Sequence, residues 1–247
     1  MKKNKKILIG FFILIFLFVS AALFFRKETN NRDPLPENIE TADVLRTPQS
    51  APAWGIDLSH HNGAIQWSQM KGKNLPDFVF LKATEGTHFK DRRFENHHKE
   101  FSQLGVPCAG YHFFRFNKNG EAQARFFLDY TQPKKGDLLP VLDAESHHSL
   151  DSDDIAQKNI DLFMETIKEE IGVYPIVYCQ ESFYKKFFEE KYEGKIYLWI
   201  SNFIREPFIP YDIWQKSEKH QHPAFKGRID YNVLQHGRTS LSNLLIP

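Results

Sequence analysis

The feature that most constrains this chain is a series of short apolar runs, separated by helical patterns, that begins after Trp54. Eight of the runs read as buried strands, at residues 55–59, 78–84, 108–114, 139–145, 175–179, 197–202, 211–215 and 227–234. The segments between the earlier runs predict helices at 94–104, 121–130, 153–171 and 182–192. Because strand and helix alternate, we predict an α/β fold with parallel strands, a modified TIM-like barrel that is helix-poor in its C-terminal part.

The amino terminus carries a candidate membrane anchor. Four lysines within residues 2–6 precede an uncharged run at 7–25, which is long enough to cross a bilayer as a helix. The lysine excess predicts that the short tail stays in the cytoplasm and that the remainder is exported. A cleaved signal peptide is the alternative, but Ser20-Ala21-Ala22 is a poor cleavage site, which favours an uncleaved anchor.

The predicted organisation therefore has three parts. Residues 1–27 form the tail and anchor, the polar, proline-dotted residues 28–53 form a disordered tether, and residues 54–247 form the barrel. The 32 basic and 31 acidic residues give a net charge of +1. Nothing global then attracts the chain to nucleic acid, so its partner must be recognised by local chemistry.

The run LLPVLDAE at 138–145 carries the strongest chemical signal. Side chains alternate along a strand, so Asp143 and Glu145 are expected to point the same way at the end of this strand. Two carboxyl groups in one small volume split their pKa values, and one becomes available as a general acid. This chemistry is typical of glycosidic bond cleavage, although a surface or N-cap pair after a strand fits the segment alone equally well.

Other polar residues follow the ends of the remaining strands. In a parallel barrel the carboxyl ends of the strands meet at one end, here called the mouth, where functional residues gather. Asp57 ends strand one, Glu85 ends strand two, and Asp230 lies on strand eight. Strands one and eight become neighbours when a barrel closes, so Asp57 and Asp230 are predicted to lie side by side near Asp143 and Glu145.

The chain resembles the glycoside hydrolase family 25 lysozymes, the Chalaropsis-type N-acetylmuramidases, from Trp54 to about Gly237. The matching stretches stand in family order: GIDLSHHNGAIQW, FVFLKATEGTHFKDRRF, GVPCAGYHFFR, LLPVLDAE, YPIVYC, LWISNF, DIWQ and GRIDYNVLQHG. The resemblance implies a barrel of eight strands and about five helices. It also implies cleavage of the β-1,4 bond between N-acetylmuramic acid and N-acetylglucosamine in peptidoglycan glycan strands.

The resemblance assigns roles to the four acids. Glu145 matches the general acid and Asp143 its partner carboxylate, while Asp57 and Asp230 match two further acids that ring the site. We expect Glu145 to have the raised pKa and Asp143 to stay charged, orienting the substrate's 2-acetamido group as it attacks the anomeric carbon. Retention through this substrate assistance is the expected outcome, while a direct nucleophile and a water-mediated inversion remain open.

Six further residues are candidates for substrate binding. Tyr111, Tyr178, Trp199 and Trp214 are aromatic side chains that could stack on a sugar ring, and about two of the four are expected to do so. Glu85 and Gln215 could bind sugar hydroxyls, but Glu85 is equally plausible as an ion-pair partner of Lys82. No cofactor is expected, and the protein is predicted to be a monomer.

Two rival functions fit parts of the same pattern. The histidine pairs 60–61 and 147–148 stand close to acids in the sequence, as in a barrel metallohydrolase, but adjacent histidines rarely ligate one ion together. The sequence therefore favours no metal. The other rival is a membrane-anchored, catalytically silent barrel that binds peptidoglycan without cutting it. With the anchor retained, the barrel would lie outside the cytoplasmic membrane of a bacterium; a secreted enzyme is the alternative.

Overall fold

The computed structural model describes residues 52–145 and 152–247. The predicted anchor and nearly all of the predicted tether lie outside these residues, as do His147 and His148. Within the described ranges, none of the helices combines the length and the apolar character that crossing a membrane requires.

Nine strands form a single sheet that closes on itself. They are β1 (Trp54–Leu58), β2 (Phe78–Glu85), β3 (Phe89–Lys90), β4 (Cys108–Phe113), β5 (Val141–Asp143), β6 (Ile176–Cys179), β7 (Leu198–Ser201), β8 (Ile213–Gln221) and β9 (Arg228–Leu234). Strand β1 pairs with both β2 and β9, which closes an eight-stranded barrel, and β3 is a short addition that pairs only with β2. The predicted eight-stranded barrel is confirmed.

Five α-helices lie within the described residues: α1 (Phe94–Gln103), α2 (Gly120–Thr131), α3 (Asp153–Ile171), α4 (Glu181–Phe187) and α5 (Glu189–Tyr192). Their ends follow local chemistry, since Asn119 caps α2, Ser152 caps α3, and Gly172 ends α3 with φ of 82°. The only helical element of the described chain after Tyr192 is a 3-10 turn at Leu241–Leu244, so the helix-poor C-terminal part is also confirmed.

The prediction of parallel strands holds for β1, β2 and β4 to β8 but is wrong for β9. Strand β9 runs antiparallel to both of its neighbours, β8 and β1. The reason is the connection: residues 222–227 make a hairpin too short for the crossover that a parallel strand needs. Strand β9 therefore begins near the mouth and runs away from it. The first half of β9, and not its carboxyl end, lies at the mouth.

Two layers of apolar side chains support the mouth. One layer lies between the barrel and the helices and includes Leu81, Phe101 and Phe163. The other fills the barrel itself, where Phe78 and Phe80 point inward two residues apart on β2. The Phe78 ring lies 2.4 Å from where a Cβ of residue 55 would be, so Gly55 on β1 is required for this packing.

Candidate active site

A cavity of about 260 Å³ opens among the strand ends. It is lined by eight residues that the sequence singled out: Asp57, Tyr111, Asp143, Glu145, Tyr178, Trp199, Gln215 and Asp230. Residues from β1, β4, β5, β6, β7, β8 and β9 thus meet at one place. The structure brings together eight of the ten predicted site residues.

The four predicted acids reach the cavity from three elements. Asp143 is the last residue of β5, Glu145 follows it by two residues, and Asp57 lies on β1. The antiparallel register sets Gly55 opposite Asn232, and this carries Asp230 towards the mouth beside Asp57. A hydrogen bond joins the Asp57 and Asp230 carboxyl groups, so the predicted side-by-side arrangement is present.

Asp57 is the acceptor of a hydrogen-bonded network inside the barrel. Its Oδ2 accepts from Nδ2 of Asn232 at 2.8 Å and from Nε2 of Gln215 at 2.9 Å. Behind these amides, the Trp199 indole Nε1–H donates to Asn232 Oδ1 at 2.9 Å, and the Tyr178 hydroxyl donates to Gln215 Oε1 at 2.7 Å. Four side chains thus hold one carboxyl group in place.

Burial raises the pKa of each of the four predicted acids. At Glu145 the burial effect is reinforced by the charge of Asp57, and at Asp143 by the charge of Glu145. Burial and the neighbouring Asp57 raise the pKa of Asp230 to about 8. At Asp57 burial also raises the pKa, and the amide hydrogen bonds oppose the rise. The raised pKa of Glu145 agrees with our expectation.

Burial and the charge of Glu145 favour the protonated form of Asp143, which opposes the expectation that this carboxyl stays charged. Asp143 is 6% exposed and its Oδ1 has no hydrogen-bond partner among the described residues. A buried carboxylate without donors is poorly solvated, so its pKa lies well above the usual value. A ligand that donated an N–H group to Asp143 would favour the ionised form.

Two of the three predicted aromatic residues in the cavity are tied to its structure. Trp199 is 2% exposed and packs against Phe80 and Tyr178 with ring centroids 4.7 and 4.5 Å apart. Its indole is therefore mainly part of the barrel interior, and Tyr178 supports Gln215. Tyr111 faces the carboxyls of Asp57 and Asp143, and burial raises its pKa well above the usual value, so its hydroxyl keeps its proton.

Trp214 and Glu85 are the two predicted site residues that do not line the cavity. The Trp214 indole donates to the backbone oxygen of Asn202 at 2.8 Å, on the face of β8 opposite its neighbour Gln215. Glu85 binds Lys82, with 2.7 Å between Oε2 and Nζ, and also binds Arg115. The ion-pair alternative for Glu85 is the one that the structure contains.

Four residues that line the cavity were missed: Gln180, Ser201, Phe203 and Glu218. A signal existed for three of them, because Gln180 follows Tyr178 by two residues, and Ser201 and Phe203 continue the alternation that begins at Trp199. Glu218 had no such signal. It lies three residues after Gln215, and only the irregular register around Ser217 turns it to the same side.

The described residues contain no group of three histidine, cysteine, aspartate or glutamate side chains that could hold a metal ion. His60 is instead bound to Asp91, with 2.7 Å between Nδ1 and Oδ2. His147 and His148, the other half of the metal alternative, lie outside the described ranges.

A closed barrel with carboxyl groups gathered at its mouth fits a hydrolase that works by acid and base chemistry. The chain belongs to the glycosyl hydrolases family 25, whose family model matches residues 56–228. Its fold is similar to a bacterial lysozyme from Streptomyces coelicolor, with a TM-score of 0.71 and 27% identity over 79% of this chain and 96% of that one.

The chain is also similar to two further proteins. A family GH25 lysozyme from Aspergillus fumigatus has a TM-score of 0.70 and 25% identity, and the match covers 80% of this chain and all of that one. The uncharacterized protein YegX of Escherichia coli K12 is 27% identical over 198 residues, which is 77% of this chain and 72% of YegX.

Proposed function

We propose that the protein is a lysozyme that hydrolyses the β-1,4 bond between N-acetylmuramic acid and N-acetylglucosamine in peptidoglycan. The observation that carries the proposal is the meeting of Asp57, Asp143, Glu145 and Asp230 in one cavity. Family membership and the lysozymes of similar fold support the same substrate. The acids supply proton transfer, and the open cavity admits a glycan.

Glu145 is the proposed general acid. Burial and the charge of Asp57 raise its pKa, so its carboxyl holds a proton that can pass to the leaving glycosidic oxygen. After the leaving group departs, the ionised Glu145 takes a proton from the water that attacks the anomeric carbon. The same carboxyl thus serves first as acid and then as base.

Asp143 is the proposed partner of the substrate's 2-acetamido group. Its Oδ1 is buried and without a hydrogen-bond partner among the described residues, so it can accept the acetamido N–H. That contact would orient the acetamido oxygen towards the anomeric carbon and stabilise the charge that develops on the group. Because Asp143 and Glu145 come from one strand end, they approach the sugar from a shared side, which supports acetamido assistance with retention over direct attack by Asp143.

The proposed setting is the outer side of a bacterial cytoplasmic membrane. The apolar run 7–25 would anchor the protein and residues 28–53 would tether the barrel, which would act as a monomer on nearby wall. A secreted form remains the alternative. Fractionation of the native host, with the protein detected by antibody, distinguishes the two by its presence in membranes or medium.

Digestion of purified peptidoglycan by the full-length protein and by its Glu145→Gln variant tests the proposed activity. The unchanged protein should release soluble fragments and retain this activity in excess chelator. Glu145→Gln should lose on the order of 10² to 10⁴ in rate, the usual contribution of a general acid, and still sediment with the wall. Equal release by both proteins contradicts the role of Glu145, and wall binding with no release by either contradicts the enzyme.

A further inference from the structure

The side chains behind Asp57 fix the direction of two amide groups. An indole nitrogen can only donate, so Oδ1 of Asn232 must face Trp199 and Nδ2 must face Asp57. Gln215 must accept the Tyr178 proton for its own Nε2 to donate to Asp57. Two N–H groups therefore converge on a single oxygen, Oδ2 of Asp57.

The two carboxyl groups of the Asp57–Asp230 pair differ in the hydrogen bonds that they accept. The two N–H groups occupy Oδ2 of Asp57 and favour the ionised carboxylate. Among the described residues no amide or hydroxyl group donates to the Asp230 side chain, whose hydrogen bond is with the carboxyl of Asp57. A hydrogen bond between two carboxyl groups requires one proton, and the surroundings favour its placement on Asp230.

We propose that Asp57 and Asp230 form an asymmetric pair in which Asp57 is the ionised member and Asp230 carries the shared proton. In this arrangement Tyr178, Gln215, Asn232 and Trp199 are positioning residues that act through Asp57. The inference rests on the proposed lysozyme function for its catalytic consequence, but the location of the proton does not depend on it.

The charge of Asp57 affects catalysis because it raises the pKa of Glu145. After burial, the negative charge of Asp57 is the main cause that raises the pKa of Glu145. An ionised Asp57 thus keeps the general acid protonated, and a protonated Asp230 supplies a hydrogen bond without adding a competing charge. The indole of Trp199 acts here as a fixed donor at the end of a chain, a role that differs from a stacking platform for sugar.

The other titratable groups around the pair come from several strands. They are Tyr111 on β4, Asp143 on β5 with Glu145 after it, Tyr178 on β6 and Glu218 on β8. Apart from the two tyrosines these are acidic, and the charge of Glu218 favours the protonated form of Asp230. None of them donates to Asp57 as the two amides do.

Isosteric variants of the pair distinguish its members. In Asp230→Asn the new amide can donate to Asp57 as the protonated acid does, so the charge stays on residue 57. In Asp57→Asn the only carboxyl left in the pair is that of Asp230, so the charge of the pair moves from residue 57 to residue 230. We expect kcat/KM to fall at least about tenfold further in Asp57→Asn than in Asp230→Asn. The alkaline limb of the pH profile of Asp57→Asn should also move to lower pH, by roughly one unit.

Two aromatic substitutions test the positioning residues. Trp199→Phe removes the donor to Asn232 and keeps a ring in the barrel, so it should also move the alkaline limb to lower pH. Trp67→Phe alters an indole that packs against Phe101 away from the cavity, and it should leave the limb in place. If activity falls at the same alkaline pH in wild type and in Trp199→Phe, with the same fraction of each protein folded, Trp199 has no positioning role.

The proton itself can be located without any assay of activity. Carbon-13 NMR of the assigned side-chain carboxyls, in the full-length protein at pH 6, should show Asp57 as carboxylate and Asp230 as carboxylic acid. The reverse assignment, or two ionised carboxyls, would overturn the proposal even if the protein cleaves peptidoglycan. Failure to cleave peptidoglycan with the expected NMR result would instead contradict the lysozyme function and leave the asymmetric pair standing.

Discussion

The Nζ atom of Lys82 lies 2.7 Å from Oε2 of Glu85, while Arg115 also binds the Glu85 carboxylate. Lys82 is 9% exposed, and its Nζ atom lies over the ring of Phe113, 4.5 Å from the centroid. The ion pair therefore holds a buried cation whose charge also acts on Asp143 and Glu145. Glu85 supports the site from behind rather than lining it.

Glu85→Gln should lower the free energy of unfolding by about 1 kcal/mol at pH 7. Burial alone would raise the pKa of Glu85, but its hydrogen bonds with Lys82 and Arg115 lower it. A carboxyl with a lowered folded pKa stabilises the fold above its unfolded pKa, so the difference from wild type should vanish as the pH falls through the folded pKa. Urea unfolding at several pH values measures this difference.

Glu121→Gln is the control, because it breaks an exposed ion pair with Arg125. It should lower the free energy of unfolding less than Glu85→Gln does. An equal loss in both variants would contradict the account.

Lys82→Met should move the pH–activity profile upward. Burial and neighbouring carboxyls raise the pKa values of Asp143 and Glu145, and the charge of Lys82 lowers both. Removing the charge should therefore move both limbs of the kcat/KM profile to higher pH, by up to about one unit. Lys90→Met is the matched control, because Lys90 lies over the ring of Tyr130 outside the cavity. Coincident profiles for wild type and Lys82→Met would contradict this coupling.

The buried histidines should make the fold sensitive to acid. Burial lowers the pKa of His112 to about 4, and burial with the charge of Arg93 lowers that of His97 to about 4. The unfolded chain binds protons at both residues near pH 6.5, so stability should fall as the pH drops from 6.5 towards 4. Each histidine contributes at most on the order of 3 kcal/mol to this loss.

His112→Gln should flatten that pH dependence. The substitution removes one titrating group from the contact with Thr84 and Gln123, where the His112 ring nitrogens lie 2.7 and 3.2 Å from their partners. Stability at pH 7 should fall, but the further loss between pH 6.5 and 4 should be smaller than in wild type. A steeper or unchanged loss in chemical denaturation across this range would show that His112 is not the group that titrates.

Gly120 lies closer to a neighbouring helix than any other glycine of the described residues. A Cβ at this position would lie 1.8 Å from the backbone oxygen of Asn159, at the crossing of α2 and α3. Gly120→Ala should therefore force the helices apart and cost several kcal/mol of unfolding free energy, comparable to overpacking a core. Gly227→Ala is the control, since no atom lies within 4 Å of its Cβ position and its φ is not positive. Equal midpoints of thermal unfolding for the two variants would contradict the contact.

Product stereochemistry tests the role of Asp143. Acetamido assistance predicts that the first product carries the β-anomer, as seen by proton NMR early in the reaction. It also predicts that a glycan with a free amine on the muramic residue is bound but not cleaved, because the attacking oxygen is missing. An α-anomeric first product would indicate inversion, and cleavage of the deacetylated glycan at the normal rate would indicate a direct nucleophile.

Local patterns were sufficient to predict most of the barrel and the meeting of the acids. The alternation in LLPVLDAE depends only on neighbouring residues, and the closure of β1 on β9 depends on the number of strands. Both can be predicted from a sequence. The direction of β9 was mispredicted because it depends on hairpin length, which outweighed the preference for parallel strands. Its antiparallel course still brings Asp230 to the mouth.

The remaining site residues depend on distant contacts. Glu218 faces the cavity because of an irregular register, which no periodicity predicts. Trp199 and Trp214 look alike as aromatic residues on strands, yet one donates to Asn232 inside the barrel and the other to the backbone of Asn202 outside the cavity. Only the packing of β7, β8 and β9 decides which indole serves the site.

The most direct test of the central claim is the identity of the new reducing end made from purified peptidoglycan. Fragments released by the full-length protein are reduced with borohydride and analysed by mass spectrometry, beside the same digestion by Glu145→Gln. The account predicts reduced N-acetylmuramic acid ends from the unchanged protein and few or none from the variant. Reduced N-acetylglucosamine at the new ends would contradict it. Equal amounts of reduced N-acetylmuramic acid from the unchanged protein and from Glu145→Gln would also contradict it.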